Sequence, residues 1–274
     1  MSFMFRQLLG FTFAMIVLTA LAKMSAQTQS PASPNSLIRE EQRILVNGIP
    51  EVWRLQWKSP PEEAACGPQD PLGATTCPCG GFAYAENGQL DLVRMRNGKE
   101  IDRLELTPLF EQALSHQKGA TVQNWPFELK DIEERDTEGF SERLRTRPIV
   151  RLMYFADYNH DGKSTEFFLQ TGVAPCAKIL GIVVGLTPNN PKLHVFASMS
   201  NPNKPLVLQK AEWEALRKSS GPVEVLDWPC GDHGSELEVD MALRTINGTI
   251  QAVRQEFDCT EDGKRGRLLT KENR

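Results

Sequence analysis

The chain has 274 residues, a formal net charge of −4 at pH 7 and 40% hydrophobic residues. A protein that binds nucleic acid usually carries a basic excess, which this chain lacks. The hydrophobic content argues against disorder throughout, and the length is sufficient for one large domain or two small ones.

The amino terminus has the pattern of a secretory signal peptide. Arg6 precedes the apolar run Leu8–Ala22, and small residues follow up to Ala26. A run of roughly 15 residues is short for a membrane span, which needs about 20. We therefore predict a signal peptide at residues 1–26, a polar linker at 27–36 and a secreted or periplasmic mature protein with no stable membrane span. An uncleaved anchor helix is the alternative.

Short alternating segments and hairpin signals dominate the chain from residue 37 onward. Val52–Trp57 alternates as a strand does. Three strands are predicted within residues 82–106, where Asn87-Gly88 and Asn97-Gly98 are hairpin signals, and these strands should form an antiparallel meander. A third signal, Asn247-Gly248, should join the last two strands of the domain.

Half of the six cysteines lie in the proline- and glycine-rich loop that follows Trp57. An even number of cysteines in an exported chain favours disulfides, although a metal site from Cys66, Cys77 and Cys79 with a histidine is an alternative. Cys77 and Cys79 are too close to pair without strain, so each is expected to pair elsewhere. The cysteines are Cys66, Cys77, Cys79, Cys176, Cys230 and Cys259.

The second half of the chain continues the β pattern. The charged stretch 127–147 is predicted as a solvated hairpin, and residues 148–154 and 166–170 as strands on either side of an acidic loop. Ile179–Leu186 is apolar throughout, as a central buried strand would be.

Only two short helices are predicted, at residues 108–117 and 210–218. The fold class is therefore mainly β, with antiparallel hairpins and meanders, and a sandwich, a barrel or a small propeller would fit. We expect one domain at residues 37–259, with a subdivision near 120–147 as an alternative, and a flexible tail at 260–274.

The acidic loop, residues 157–166, has the spacing of a calcium loop. Asp157, Asn159 and Asp161 occupy loop positions 1, 3 and 5, and Gly162 occupies position 6. Calcium prefers six to eight oxygen ligands, which alternate side chains of a tight loop can supply. A metal-free turn is the alternative, since Asn, Asp and Gly form turns on their own. The predicted ligands are Asp157, Asn159, Asp161, the carbonyl of Lys163, and Glu166.

The first half of this loop resembles an EF-hand loop, DxNxDG. Position 12, however, is Phe168 instead of a bidentate glutamate, and the flanks alternate as strands do. Residues 148–170 are more similar to the calcium hairpin of FG-GAP/VCBS β-propeller repeats, strand–DxNxDGxxD–strand. That resemblance implies an acid at position 9, where this chain has Thr165, with Glu166 one position later. The whole chain resembles an exported protein.

Three functions fit these observations. The first is an exported, calcium-stabilised, disulfide-containing β protein with a binding or structural role and an extracellular protein or glycan as ligand. The second is an exported hydrolase with acid–base residues at Asp232 and His233 in a glycine-rich loop, for which a loop anchored by a disulfide is the alternative that we favour. The third is an interaction domain with exposed Trp53, Trp57 and Trp125, unless these side chains pack in the core.

Overall fold

The computed structural model describes residues 37–64, 82–113, 118–126, 134, 137–174 and 178–274, all within one unit of the chain, Pro31–Arg274. The predicted signal peptide at residues 1–26 and the linker at 27–36 lie outside the described residues. So do four of the six cysteines, namely Cys66, Cys77, Cys79 and Cys176.

The described residues form short strands and three short helices. None of these helices combines the length and the apolar composition that crossing a membrane requires. In chain order the elements are β1 (Ile38–Val46), β2 (Ile49–Trp57), β3 (Glu62–Ala64), β4 (Phe82–Gly88), β5 (Leu90–Arg96), β6 (Lys99–Glu105), α1 (Thr107–Ala113), β7 (Ala120–Pro126), α2 (Phe140–Arg145), β8 (Glu166–Ala174), β9 (Lys178–Thr187), β10 (Asn190–Val195), β11 (Leu208–Gln209), α3 (Lys210–Lys218), β12 (Val223–Trp228), β13 (Leu237–Ile246), β14 (Thr249–Cys259) and β15 (Arg265–Asn273).

These strands form four antiparallel sheets. Two of them have the orders β1-β2-β5-β6 and β3-β4-β7, a third places β9 among β8, β10 and β11, and the fourth is the meander β12-β13-β14-β15. None of the described sheets closes on itself. The predicted class, mainly β with antiparallel hairpins and short helices, is confirmed.

Asn-Gly pairs make the tight hairpins, as the sequence predicts. At Asn97-Gly98 and Asn247-Gly248 both residues have positive φ, which is the geometry that a two-residue hairpin loop requires. A further pair, Asn47-Gly48, has the same conformation and joins β1 to β2.

The predicted turn at Asn87-Gly88 is wrong, because β4 runs through both residues and pairs with β7. The Asn87 side chain donates hydrogen bonds to the Thr121 hydroxyl at 2.8 Å and to the Lys118 carbonyl at 3.1 Å. Gly88 lies so close to Trp57 that a Cβ there would be 3.3 Å from the indole ring. Close packing, not a turn, accounts for this glycine, and the predicted meander shrinks to the β5–β6 hairpin.

The segment before the acidic loop is not a strand, although residues 148–154 alternate like one. The buried Glu40 carboxylate accepts the backbone N–H of Leu152 at 2.6 Å and of Met153 at 3.2 Å. Arg39 donates to the Val150 carbonyl at 2.9 Å. Side chains of β1 therefore hydrogen-bond to the backbone N–H and C=O groups that would otherwise have paired with a neighbouring strand.

The charged stretch 127–147 is not the predicted hairpin in its described part, because Phe140–Arg145 forms helix α2. Phe140 and Leu144 are both buried, and residues four apart lie on the same face of a helix. The short helix therefore has an apolar face that the charged residues around it concealed in the sequence.

The predicted flexible tail, residues 260–274, contains strand β15 instead, which pairs with β14. The Arg265 guanidinium contacts the carboxylates of Glu238 and Asp240 and lies 4.4 Å from the centroid of the Phe257 ring. Most side chains of β15 are exposed, so its sequence has no apolar alternation to reveal the strand. Backbone pairing and cross-strand charges hold it.

Strand β9 contributes to two hydrophobic clusters. Ile182, Val184 and Leu186 belong to the cluster that includes the first sheet, whereas Val183 belongs to the cluster around α3, β13 and β14. Both faces of β9 are therefore buried, which confirms the prediction of a central buried strand.

The three tryptophans weighed as an exposed binding surface lie in the core instead. Trp53 is 0%, Trp57 1% and Trp125 8% exposed. Their burial agrees with the core alternative and removes the basis for an interaction surface built on them.

Candidate functional site

The acidic loop is closed at its base by a short antiparallel pairing. Ala156 donates to the Glu166 carbonyl at 2.8 Å, and Glu166 donates back to the Ala156 carbonyl at 3.3 Å. Two loop residues, His160 and Gly162, have positive φ, which turns the chain sharply inside this closure. The loop thus leads directly into β8.

The side chains at loop positions 1, 3 and 5 turn inward along the loop and accept backbone hydrogen bonds. The two carboxylate oxygens of Asp157 accept from Asp161 N–H at 3.1 Å and from Gly162 N–H at 2.9 Å. Asn159 Oδ1 also accepts from Asp161 N–H, at 3.0 Å, and Asp161 Oδ1 accepts from Lys163 N–H at 2.8 Å. Asp157 and Asn159 therefore share the Asp161 N–H as a donor, whereas ligation of one calcium ion by the three side chains stays a prediction.

Glu166 is the most enclosed acid of the loop, with an exposed fraction of 0%. Its carboxylate accepts from the Tyr158 N–H at 2.9 Å and from the Thr165 hydroxyl at 2.8 Å. Burial raises the pKa of Glu166 to about 8; the two hydrogen bonds lower that pKa, and the negative charges of Asp161 and Asp157 raise it. The three loop acids thus act on one another electrostatically.

Within the part of the chain that the structure describes, no three His, Cys, Asp or Glu side chains form a group that could hold a metal ion. The loop carboxylates instead direct oxygens at neighbouring N–H and O–H groups. Each ionised carboxylate has about four acceptor positions, so one or two such hydrogen bonds leave capacity for a further partner.

Within the described part of the chain, no basic side chain neutralises the acids of this loop. Among the described residues, no lysine or arginine forms an ion pair with Asp157, Asp161 or Glu166. Lys163, whose carbonyl was predicted as a ligand, lies in the loop with an exposed side chain. The acids are therefore held by hydrogen bonds alone.

Two loop side chains attach the loop to helix α3. Tyr158 is buried and meets the Trp213 ring edge to face, with centroids 6.0 Å apart. His160 donates from Nε2 to the Leu216 carbonyl at 2.7 Å. Sequence reasoning missed both contacts, although an aromatic residue beside the first loop acid was a usable signal. A change in the loop would consequently act on α3 as well.

The second predicted site, around Asp232 and His233, is a loop anchored by a disulfide. Cys230 and Cys259 are bonded, with their Cα atoms 5.7 Å apart, and this bond ties the loop to the end of β14. Asp232–Gly234 forms a single 3₁₀ turn. Neither of the two described cavities is lined by residues 228–236. The prediction of disulfides is confirmed for this pair.

No protein-family model, curated protein or solved structure matches the chain. The resemblance of residues 148–170 to an FG-GAP/VCBS calcium hairpin therefore stays a prediction that rests on the loop residues.

Proposed function

We propose that this chain is an exported β protein with a binding or structural role, and that its acidic loop holds one calcium ion that stabilises the fold. One observation carries the proposal. A fully buried Glu166 carboxylate faces the charges of Asp157 and Asp161, and no described cation balances them.

Charge is the physical reason for a cation in this loop. A buried carboxylate without an opposite charge is costly, and further negative charges nearby increase that cost. A divalent ion would remove the repulsion among the three acids and favour their ionised forms. Small rearrangements of the hydrogen-bonded side chains would be needed for their oxygens to meet at one point.

The available oxygens suit calcium in number and kind. Asp157, Asn159, Asp161 and Glu166 supply side-chain oxygens, and Lys163 supplies a carbonyl. Water would complete the six to eight ligands that calcium prefers. All of these are hard oxygen donors, which favour calcium over the metals that cysteine and histidine select.

A structural role follows from the anchoring of the loop. An ion in the loop would fix the base at Ala156 and Glu166 and, through Tyr158 and His160, the position of α3. An exported protein meets calcium at concentrations at which even weak extracellular sites fill, with dissociation constants of about 10⁻⁴–10⁻³ M. The predicted signal peptide at residues 1–26 supports this location.

Thermal melting of the oxidised mature chain, with EDTA or with calcium, tests the proposal. For a site of that affinity, about 5 mM calcium adds about 1–2 kcal/mol to the free energy of unfolding. The melting temperature should then rise by roughly 2–9 °C for a chain of this length. Equal melting temperatures in EDTA and in calcium would contradict the proposal.

Matched variants separate calcium binding from the hydrogen bonds of the loop. Combining Asp157→Asn with Asp161→Asn keeps one accepting oxygen at each position, removes two charges and replaces one of the two accepting oxygens of residue 157 by an NH2 group. This variant should lose the calcium response. Asp262→Asn changes an aspartate in the exposed β14–β15 turn and should keep the response. A response that survives in the double variant would place the ion elsewhere.

A further inference from the structure

A cavity of about 670 Å³ lies where the two hydrophobic clusters meet. One wall comes from β6 and α1, and another from the β9–β10 hairpin. The segment 196–205 and the tip of the β13–β14 hairpin complete it. Its volume lies within the range of about 300–1,000 Å³ that small-molecule sites occupy.

The described lining combines an apolar floor with a rim of amide side chains. Leu193, Phe196 and Ile250 are buried at the floor. Amide groups both donate and accept hydrogen bonds without carrying charge. The rim amides are those of Asn189, Asn190, Asn203 and Asn247, all exposed.

The described lining is close to neutral. It contains no aspartate or glutamate, and its ionisable side chains are those of Lys204 and His194. Burial lowers the pKa of His194, whereas its hydrogen bond to the Lys192 carbonyl raises that pKa. A single exposed lysine is a weak basis for holding a phosphate or a polyanion, which usually needs several cationic or N–H donors.

His194 and Phe196 give the cavity a flat aromatic pair. Their rings are stacked, with centroids 5.5 Å apart and planes 19° apart. His194 Nδ1 lies 2.8 Å from the Lys192 carbonyl, which fixes the orientation of the ring. A flat ring surface surrounded by neutral amides is complementary to a ligand that has an apolar C–H face and many hydroxyl groups.

We propose that this cavity binds an uncharged oligosaccharide, with the half-buried His194 ring, which stacks on the buried Phe196, packing against a sugar ring and the rim asparagines hydrogen-bonding to its hydroxyls. The inference deepens the binding role proposed above, but it uses none of the residues of the acidic loop. Binding of the oligosaccharide is therefore expected whether or not the acidic loop binds calcium.

A glycan array that carries neutral and acidic oligosaccharides tests the inference with the intact mature chain. At least one neutral oligosaccharide should be retained, both in calcium and in EDTA below the melting temperature. Retention in EDTA separates this site from the calcium site. Retention of acidic glycans only, or of none, would overturn the inference.

Variants then locate the site by calorimetry with the retained glycan. His194→Ala removes the stacked ring, and Asn203→Ala removes an exposed rim amide whose loss leaves the core intact. Each should weaken binding about tenfold, as expected when one aromatic or hydrogen-bonding contact is removed. Asn273→Ala, in β15 outside the described lining, is the control and should bind as the parent does. Unchanged affinity in Asn203→Ala and His194→Ala would overturn the inference.

Discussion

Replacing Glu212 by glutamine should remove a pH-dependent loss of stability that originates in α3. Glu212 is 2% exposed and accepts the Gln209 N–H at 2.6 Å, at the start of the helix. Burial raises the pKa of Glu212 from 4.5 to about 7. The Gln209 hydrogen bond and the charge of Lys178 lower that pKa, and the charge of Asp227 raises it.

The size and sign of the effect follow from this pKa. In the folded protein Glu212 keeps its proton up to a higher pH than in the unfolded chain. The stability that this proton contributes is therefore fully present below pH 4.5 and is lost as the pH rises to about 7. The loss is about 1.4 kcal/mol per pH unit and roughly 3 kcal/mol in total. Glutamine does not titrate, and its oxygen can still accept the Gln209 N–H.

Urea unfolding between pH 5 and pH 8, in EDTA, measures this difference. Glu212→Gln should match the parent near the acidic end and exceed its unfolding free energy by about 2–3 kcal/mol at the alkaline end. The exposed Glu224, changed to glutamine, is the control and should follow the parent at every pH. A stability difference between Glu212→Gln and the parent that is independent of pH would refute the reasoning.

Three further changes test the fold. Combining Cys230→Ser with Cys259→Ser opens a crosslink between residues 29 apart in sequence and should lower the unfolding free energy by about 3–4 kcal/mol, so an unchanged urea midpoint would count against the bond. Gly181→Ala places a Cβ 2.2 Å from a backbone oxygen of β8 and should destabilise the protein by more than about 2 kcal/mol in the same assay, whereas Gly221→Ala, whose nearest neighbour is 3.8 Å away, should change stability by less than about 0.5 kcal/mol. Glu51→Gln removes the buried charge that pairs with Arg94 and Arg96, and thermal or urea unfolding should show that the unfolding free energy falls by about 3–5 kcal/mol. A fall of less than about 1 kcal/mol would mean that the fold does not depend on these ion pairs.

Local chemistry explains which elements the sequence predicts correctly. Asn97-Gly98 and Asn247-Gly248 form turns because both residues of each pair tolerate positive φ, which few other residues do. The apolar run in β9 has no polar face, so a strand there must be covered on both sides. Such features depend on only a few neighbouring residues.

Long-range partners explain the elements that the sequence does not reveal. Residues 148–154 alternate like a strand, but Glu40, more than a hundred residues earlier in the chain, takes their N–H groups. Strand β15 lacks an apolar pattern and depends on carboxylates of β13. In each case the deciding partner is remote in sequence, so no local pattern could identify it.

In the acidic loop, too, the sequence reveals what depends on neighbouring residues and not what depends on remote partners. The spacing of Asp157, Asn159 and Asp161 indicates a tight loop whose side chains accept its own backbone N–H groups, and their convergence on one ion stays a prediction. It could not predict that Glu166 would be fully buried or that His160 would reach the end of α3, since both depend on how the loop packs against distant elements.

The central claim, that residues 157–166 bind calcium, is tested most directly by a nitrogen–proton NMR titration of the chelated mature chain with calcium up to millimolar concentrations. Calcium binding should cause saturable shifts that are largest for the amides of Asp161, Gly162 and Lys163, whose N–H groups bond to the loop side chains. The Tyr158 amide, which bonds to Glu166, should move with them. Loop amides that stay unchanged while millimolar calcium is present would contradict the claim.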